Sequence, residues 1–281
     1  MANKKFTRGS FLIMRKGFVY VILLFLVVFI NYPFLWMLTT SFKAWNEIFT
    51  LPSSFLPKKF LWQNYVSAWQ LSIWPTYIRN TLICAFFPIM GQIFLGSLAA
   101  YAFTRQFKGR TVLFTLFLGT MMIPGQATLI PNYVIMKNLG FLNTYFALTV
   151  PFLTAAFSIF LIRQYFLSVP KDYEDAAEID GCGDFFFLFR ILMPLSKPAL
   201  VTVALLTFND RWNDYLYSLI MITRNNMRTV QVGMSVFSNE GGSQWHLLMA
   251  ASTFITIPVI ILFLFVQKQF IDGVMMSGIK S

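Results

Sequence analysis

Six long apolar stretches alternate with short polar segments along the 281-residue chain. A helix that crosses a bilayer needs about 20 predominantly apolar residues, and each stretch approaches or exceeds that length. The pattern therefore predicts six transmembrane helices, at approximately residues 17–39, 80–103, 112–131, 145–166, 199–222 and 247–267. Pro124 and Gly125 interrupt the third stretch and predict a kink there. The first stretch is too long for the apolar region of a signal peptide, so we expect it to be retained as a span.

The composition supports this interpretation and excludes several classes of protein. Hydrophobic residues make up 57% of the chain and charged residues only 12%, so a soluble core cannot bury all the apolar side chains. The formal charge of +11 does not indicate a nucleic-acid partner, because the basic residues collect in short segments between apolar runs. Two cysteines and one histidine provide neither the spacing of a metal site nor a paired catalytic base. We expect an all-α polytopic membrane protein with no catalytic residue and no metal site.

The distribution of Lys and Arg predicts the orientation of the chain in the membrane. Six spans place both termini on one side, where the segments hold fourteen basic residues against seven on the other side. Since cytoplasmic loops carry the excess of basic residues, both termini are predicted to be cytoplasmic. The predicted organisation is an N-terminal cytoplasmic segment 1–16, a six-helix transmembrane domain 17–270 that contains a cytoplasmic loop 167–198, and a cytoplasmic tail 271–281.

The predicted outer loop, residues 41–77, is rich in tryptophan. Four of the seven tryptophans of the chain lie there, namely Trp45, Trp62, Trp69 and Trp74. Tryptophan is enriched at both membrane–water interfaces, where its amphipathic ring lies at the level of the lipid headgroups. We interpret these four residues as an aromatic belt at the membrane surface in preference to a binding site.

The cytoplasmic loop contains an acidic segment that differs from the rest of the chain. Six of the eleven acidic residues lie between Asp172 and Asp184. Pro170 suits a first helical turn, and Gly181 and Gly183 supply the backbone freedom that a helix stop requires. We predict one short helix before the glycines and a second one, capped by Asp184, over about 185–192, ended by prolines 194 and 198. A hairpin that binds anionic lipid carries Lys and Arg, whereas this one carries carboxylates, so its predicted counterpart is a basic groove on a protein.

This segment resembles the cytoplasmic signature of the membrane subunits of bacterial ABC importers. In that pattern E-A-A is followed after three residues by Gly, and after nine more by I-x-L-P. Here Asp175 stands for the usual Glu, and Met193 stands for the usual Leu. Because Asp is one methylene shorter than Glu, either Asp175 or Glu174 can be the residue that reaches the partner. The stretches TFNDRWNDYLYSLIMIT and QWHLLMAASTFITIPVIILF are similar to the corresponding parts of maltose-type carbohydrate permeases, and the likeness covers nearly the whole chain.

The resemblance implies a type I ABC importer permease fold in which the acidic helix is a coupling helix that sits in a groove of an ATPase subunit. It implies a complex with a homologous second permease, two ATPase subunits that bind ATP and Mg, and an extracellular sugar-binding protein, all working at a bacterial cytoplasmic membrane. No cofactor is expected on this chain, which has no G-x-x-x-x-G-K-[ST] phosphate loop. The residues implied in ATPase coupling are Glu174, Asp175, Ala176, Ala177, Asp180, Gly181, Ile191 and Pro194.

The fifth predicted span contains charges that a lipid-facing helix cannot carry cheaply. Asp214 lies three residues beyond Arg211 and four beyond Asp210, which predicts a shared face for all three in a continuous helix. Two interpretations remain open, an ion pair that locks neighbouring helices and a polar stripe along the path of a sugar. The candidate residues of the path are Asn209, Asp210, Arg211, Trp212, Asn213, Asp214 and Tyr217.

Together these features predict a non-enzymatic permease subunit of an ATP-driven importer that moves a di- or oligosaccharide by alternating access. One alternative keeps the machinery and changes the cargo to a polyol or a glycerol phosphodiester. Another, from a different class, is a self-contained secondary transporter. The absence of an internal duplication and the presence of an acidic loop that needs a partner both weigh against the second alternative.

Overall fold

In the computed structural model, the backbone is described for residues 3–52, 54–239 and 242–278, and the side chains for 16–52, 54–237 and 243–268. The chain divides into two compact units, one of Met1–Leu71 with Phe237–Phe254 and one of Ser72–Val236 with Ile255–Ser281. Helix α15, Trp245–Gly278, runs through parts of both.

The first unit is built on the long helix α1, Asn3–Ser41, followed by the short helices α2, Trp45–Ile48, and α3, Gln63–Gln70. Buried polar side chains hold the loop between these helices. The Lys43 ammonium donates to the carbonyl of Ser54 at 2.6 Å, and the Asn64 amide donates to the carbonyls of Ser41 and Lys43 at 2.8 and 2.9 Å. A two-residue hairpin, β1 Ser238–Asn239 with β2 Gly242–Ser243, pairs Ser238 with Ser243.

The second unit contains the remaining helices. They are α4 Trp74–Ala102, α5 Arg110–Gly119, α6 Gly125–Asn138, α7 Tyr145–Thr149, α8 Ala156–Phe166, α9 Asp172–Ile179, α10 Asp184–Phe187, α11 Met193–Leu195, α12 Lys197–Trp212, α13 Leu216–Met221 and α14 Val230–Gly233. Short 3₁₀ turns lie at Thr120–Met122, Val150–Phe152, Asn225–Met227 and Met234–Phe237.

Helix α4 is the central element of this unit and packs against α8 and α12. Helix α4 also comes close to the turn that precedes α8, since a Cβ added to Gly91 would lie 2.7 Å from the carbonyl oxygen of Leu153. Only glycine allows the two backbones to approach this far.

The described residues contain three helices long enough to span a membrane, or up to six spans if each of three bent helix pairs is counted as one. Lys16–Ser41, Trp74–Ala102 and Trp245–Lys268 are each long and apolar enough to cross a membrane. Three further pairs of helices reach that length only if both members count as one span. The pairs and the bends between their members are Arg110–Met122 with Gly125–Asn138 at 96°, Tyr145–Phe152 with Ala156–Phe166 at 42°, and Asp184–Leu195 with Lys197–Trp212 at 77°.

Several boundaries differ from the sequence-based expectation. The predicted kink at Pro124 is confirmed as the 96° bend, and Pro124 directly precedes α6. The prediction of one continuous helix over 199–222 is wrong, because α12 ends at Trp212 and α13 begins only at Leu216. Trp74 does not belong to an exposed belt, since it is fully buried at the start of α4, whereas Trp45, Trp62 and Trp69 are exposed as expected.

Candidate functional site

The acidic segment forms an elbow, residues 172–195, whose turn depends on Gly181. The N–H of Gly181 donates to the carbonyl of Glu178 at 3.0 Å, and the N–H of Cys182 donates to the carbonyl of Ala177 at 2.8 Å. These two bonds are those of a Schellman turn, which requires a left-handed residue after the helix. Gly181 supplies it with φ of 75°, so the predicted glycine stop is confirmed at this residue.

The second arm of the elbow differs in detail from the prediction. Gly183 precedes α10 with φ of −76° and ψ of 161°, which any residue can adopt, and no side chain caps the helix. The expectation that Asp184 caps it is wrong, because Asp184 is its first residue and its carboxylate points to another helix. Pro194 does not end the arm either. A π-helical turn at Leu188–Leu192 precedes it, and the helix continues to Leu195. Since Pro194 has no N–H to donate to the carbonyl four residues earlier, the wider turn accommodates it.

Apolar side chains on the inner side of the elbow anchor it to the second unit. Ala177 from α9 is buried together with Phe187, Leu188 and Leu192 of the second arm. They pack in one cluster with Ala100 of α4, Ile159, Ile162 and Phe166 of α8, and Val203 of α12. The second arm of the elbow therefore contacts α4, α8 and α12, the three helices that form the core of the unit.

The outer side of the elbow exposes both apolar and acidic side chains. Ile179 is 86% exposed and Phe185 is 72% exposed, and Asp175, Glu178 and Asp180 are exposed as well. Four of the residues implied in coupling, Ala176, Ala177, Asp180 and Ile191, line one open groove of about 620 Å³. Pro194 is exposed and lies outside this groove. The chemistry of this surface suits a partner that offers basic groups around an apolar pocket.

Glu174 and Asp175 are adjacent in sequence but have different surroundings. The Glu174 carboxylate is bound by the guanidinium of Arg105. Asp175 is exposed and forms no hydrogen bond or ion pair with the side chains that the structure describes. Of the two alternatives left open by the sequence, the free carboxylate is thus Asp175.

Arg105, which sequence reasoning missed, binds both arms of the elbow. Its guanidinium also contacts the Asp184 carboxylate at 2.5 Å and the Tyr101 hydroxyl, and that hydroxyl donates to Asp184 at 2.8 Å. The hydrogen bond from Tyr101, followed by the charge of Arg105, holds the pKa of Asp184 below its usual value. Burial alone would lower the pKa of Arg105, but the bond to Tyr101 and the charges of Glu174 and Asp184 raise it. We call these four residues, Tyr101, Arg105, Glu174 and Asp184, the clamp.

The polar segment of the fifth span lies at the break between α12 and α13. Arg211 is buried and donates to the neighbouring Asp210 carboxylate at 2.6 and 3.1 Å, while its guanidinium stacks on the Phe152 ring at 3.6 Å. The predicted pairing with Asp214 is wrong, since the helix ends before that residue, and the Asp214 carboxylate accepts a bond from Ser218 at 2.6 Å. Arg211 is therefore paired with its sequence neighbour Asp210, whereas Asp214 is bound by the hydroxyl of Ser218.

The remaining candidates divide into exposed amides and buried rings. The Asn213 amide donates to the carbonyl of Asn209 at 2.8 Å, and both side chains are exposed beside Asp210. Trp212 is buried and stacks on Phe208 at 5.3 Å, and Tyr217 is buried with its hydroxyl donating to the carbonyl of Ala147. Only Asn209, Asp210 and Asn213 thus form an accessible polar row.

A buried amide network supports this break and was also missed. Gln92 of α4 donates to the carbonyl of Phe152 at 3.0 Å, and its oxygen accepts bonds from Ser158 at 2.6 Å and Thr207 at 2.7 Å. The network fixes Phe152, on which Arg211 stacks. An amide inside an apolar stretch is the sequence signal that could have indicated it.

Comparison with known proteins identifies relatives along most of the chain. Residues 92–275 match the family model of the binding-protein-dependent transport system inner membrane component. The chain is 39% identical over 269 residues to the probable ABC transporter permease protein YurM of Bacillus subtilis, covering 93% of this chain and 88% of that protein. It is 35% identical to the trehalose/maltose transport system permease protein MalG of Thermococcus litoralis, over 89% of this chain and 91% of that protein.

Solved structures show the same architecture. A crystal structure of a bacterial ABC transporter involved in the import of the acidic polysaccharide alginate contains a chain that is 27% identical, with a TM-score of 0.79. The match covers 92% of this chain and 97% of that one. The helix breaks described above therefore occur within a fold already known from an importer.

Proposed function

Because this chain belongs to the family of binding-protein-dependent transport system inner membrane components, we propose that it is one of two membrane-spanning subunits of an ATP-driven importer for a di- or oligosaccharide. It is a multi-pass permease subunit and not an enzyme. Relatives that carry trehalose/maltose or arabinooligosaccharides in their names support the class of cargo.

The elbow is the observation that carries this proposal. Its outer side presents Ile179, Phe185 and a free Asp175, while its inner side is packed against α4, α8 and α12. Exposed apolar residues rimmed by charges are typical of a protein–protein interaction site. In the proposed complex this surface docks an ATPase subunit, and the carboxylates of Asp175 and Asp180 orient the contact. Each of the two permeases would hold one of two ATPase subunits, which bind the ATP and Mg.

Helix α12 gives a route from the elbow to the polar row. Helix α12 begins at Lys197, two residues after the elbow, and ends at Trp212 beside Asn213. Its 16 residues span about 24 Å. A rotation of the elbow on ATPase closure would therefore move Asn209 and Asp210 with it. These hydroxyl-binding side chains, with Asn213, are the part of the chain proposed to line the sugar path.

The whole assembly provides the test. The complex of both permeases and both ATPases would be reconstituted in vesicles with both termini of this chain on the side of the ATPases, and the sugar-loaded binding protein added outside. We expect sugar uptake that requires ATP and is unaffected by collapsing proton and sodium gradients. Uptake driven by an ion gradient without ATP would refute the importer assignment. Transport of glycerol phosphodiesters with no transport of any sugar would refute the class of cargo.

A further inference from the structure

The clamp is a cluster of charged side chains that the proposed function does not use, and it lies beside the free carboxylate of Asp175. One guanidinium, that of Arg105, binds a carboxylate from each arm of the elbow and a hydroxyl from α4. The four residues come from three separate places in the chain, α4 with the turn after it, α9 and α10.

Helix α9 contributes few buried side chains of its own, although Val169 before it and Cys182 after it pack against the buried cluster. Among its eight residues only Ala177 is buried, and all its acidic residues except Glu174 are exposed. A single buried methyl group gives one point of attachment, around which a short helix can pivot. The pair between Arg105 and Glu174 gives a second point, and two points fix the direction of the helix.

Arg105 is itself held firmly at the end of α4. Its N–H donates to the carbonyl of Ala102 at 3.2 Å, and the guanidinium of Arg163 binds the carbonyl of Phe103 at 3.0 Å. A cation is also favoured near the C-terminus of a helix by the helix dipole. The clamp thus links α9 to the helix that packs against both α8 and α12.

We propose that Arg105 is a positioning residue for energy coupling, which makes α9 and α4 move as one piece when the ATPases close. This proposal rests on the proposed function. The clamp is half exposed, with 38% of the Arg105 side chain and 70% of the Asp184 side chain accessible. Exposed ion pairs contribute little to folding stability, so removing this one should leave the complex assembled. What it should change is the transfer of movement from the elbow to the membrane helices.

The test measures ATP hydrolysis and sugar uptake in the same vesicles. For Arg105→Gln we expect assembly and ATP hydrolysis to persist while uptake per ATP falls about fivefold, the factor that one exposed pair can contribute. Glu174→Gln should also lower uptake per ATP, because it removes the carboxylate that Arg105 binds on α9. Lys108→Gln is the matched control, because it removes the same charge from the same loop, and Lys108 is exposed and forms no hydrogen bond or ion pair with the described side chains. The exchange of Arg105→Glu with Glu174→Arg should restore part of the lost coupling.

The outcomes separate this inference from the function on which it rests. If the unaltered complex shows no ATP-dependent sugar uptake, the importer assignment fails. If it does, and Arg105→Gln retains the unaltered uptake per ATP, the clamp has no role in coupling. A parallel loss of hydrolysis and uptake in both variants, without recovery in the exchange, would assign the clamp a merely structural role. If the complex with Arg105→Gln does not assemble, uptake per ATP is compared in Glu174→Gln and Tyr101→Phe, because both variants keep the Arg105 cation.

Discussion

The left-handed turn at Gly181 makes a prediction whose size follows from the structure. A Cβ placed on Gly181 meets no atom of this chain within 4 Å, so Gly181→Ala costs only what the backbone conformation costs. Placing an L-residue in the left-handed region costs about 1–2 kcal/mol. This corresponds to a factor of about 5–30 in the equilibrium constant for forming the elbow. The affinity for the ATPase subunit should fall with the fraction of correctly formed elbow, by up to that factor.

The elbow contains its own control. Gly183 lies two residues away in an extended conformation, and an added Cβ there also meets nothing within 4 Å. Gly183→Ala should therefore leave docking unchanged. Gly181→Asn should lose less than Gly181→Ala, because Asn tolerates the left-handed region. Gly181→Leu has about the same backbone cost as Ala, so any loss beyond that of Ala comes from the atoms of its side chain beyond Cβ.

The assay is co-purification of the ATPase subunits with the tagged permease, followed by ATP hydrolysis stimulated by the sugar-loaded binding protein. The expected order of retained ATPase is Gly183→Ala equal to the unaltered chain, then Gly181→Asn, then Gly181→Ala. Equal retention by Gly181→Ala and Gly183→Ala would refute the reasoning. In that case the Schellman turn would not be required for docking.

Three further predictions address the membrane-spanning part. Gln92→Leu leaves two hydroxyls and one carbonyl without their partner, and we expect a loss of about 1–3 kcal/mol, seen as a lower midpoint in thermal unfolding of the purified complex. Unchanged unfolding would show that the amide network is dispensable. Asp210→Asn should raise the sugar concentration needed for half-maximal uptake, with assembly unchanged, and unaltered uptake would remove Asp210 from the path. In a cysteine-free background, a cysteine at Asn226 should react with an impermeant thiol reagent in whole cells, whereas one at Lys108 should react only after lysis. The reverse pattern would overturn the predicted orientation.

The long helices could be predicted because hydrophobicity alone determines them. Trp74–Ala102 and Trp245–Lys268 satisfy the length criterion without any knowledge of their neighbours. The breaks were harder to predict. The stretch 199–222 is apolar enough to read as one span, and the chain gives no glycine or proline at Asn213 to mark the end of a helix. That end is set by tertiary bonds such as the one from Tyr217 to Ala147, 70 residues away.

The elbow was predictable in outline because its determinants are local, whereas the clamp was not. Gly181 and the acidic residues before it lie within ten positions of each other. Arg105 is 69 residues from Glu174 and 79 from Asp184, so no periodicity or spacing connects them. The available signal was one of charge balance. Six carboxylates in one loop need cations on the same side of the membrane, and the loop that holds Arg105 is one place where they occur.

The breaks inside the spans are built structures and not frayed helix ends. Irregular backbone at membrane depth is tolerated only where its polar groups find partners. At the end of α12 the carbonyl of Asn209 accepts both the backbone N–H and the side-chain amide of Asn213, and ahead of α8 the Gln92 amide donates to the carbonyl of Phe152. At the bend before α6, Pro124 has no N–H that needs a partner, and its carbonyl accepts the N–H of Ala127 at 2.9 Å. Each break can therefore bend without leaving these polar groups exposed to lipid. For an importer that must open to both sides, such satisfied breaks allow rigid pieces like α12 to turn while the hydrogen bonds inside each piece stay intact.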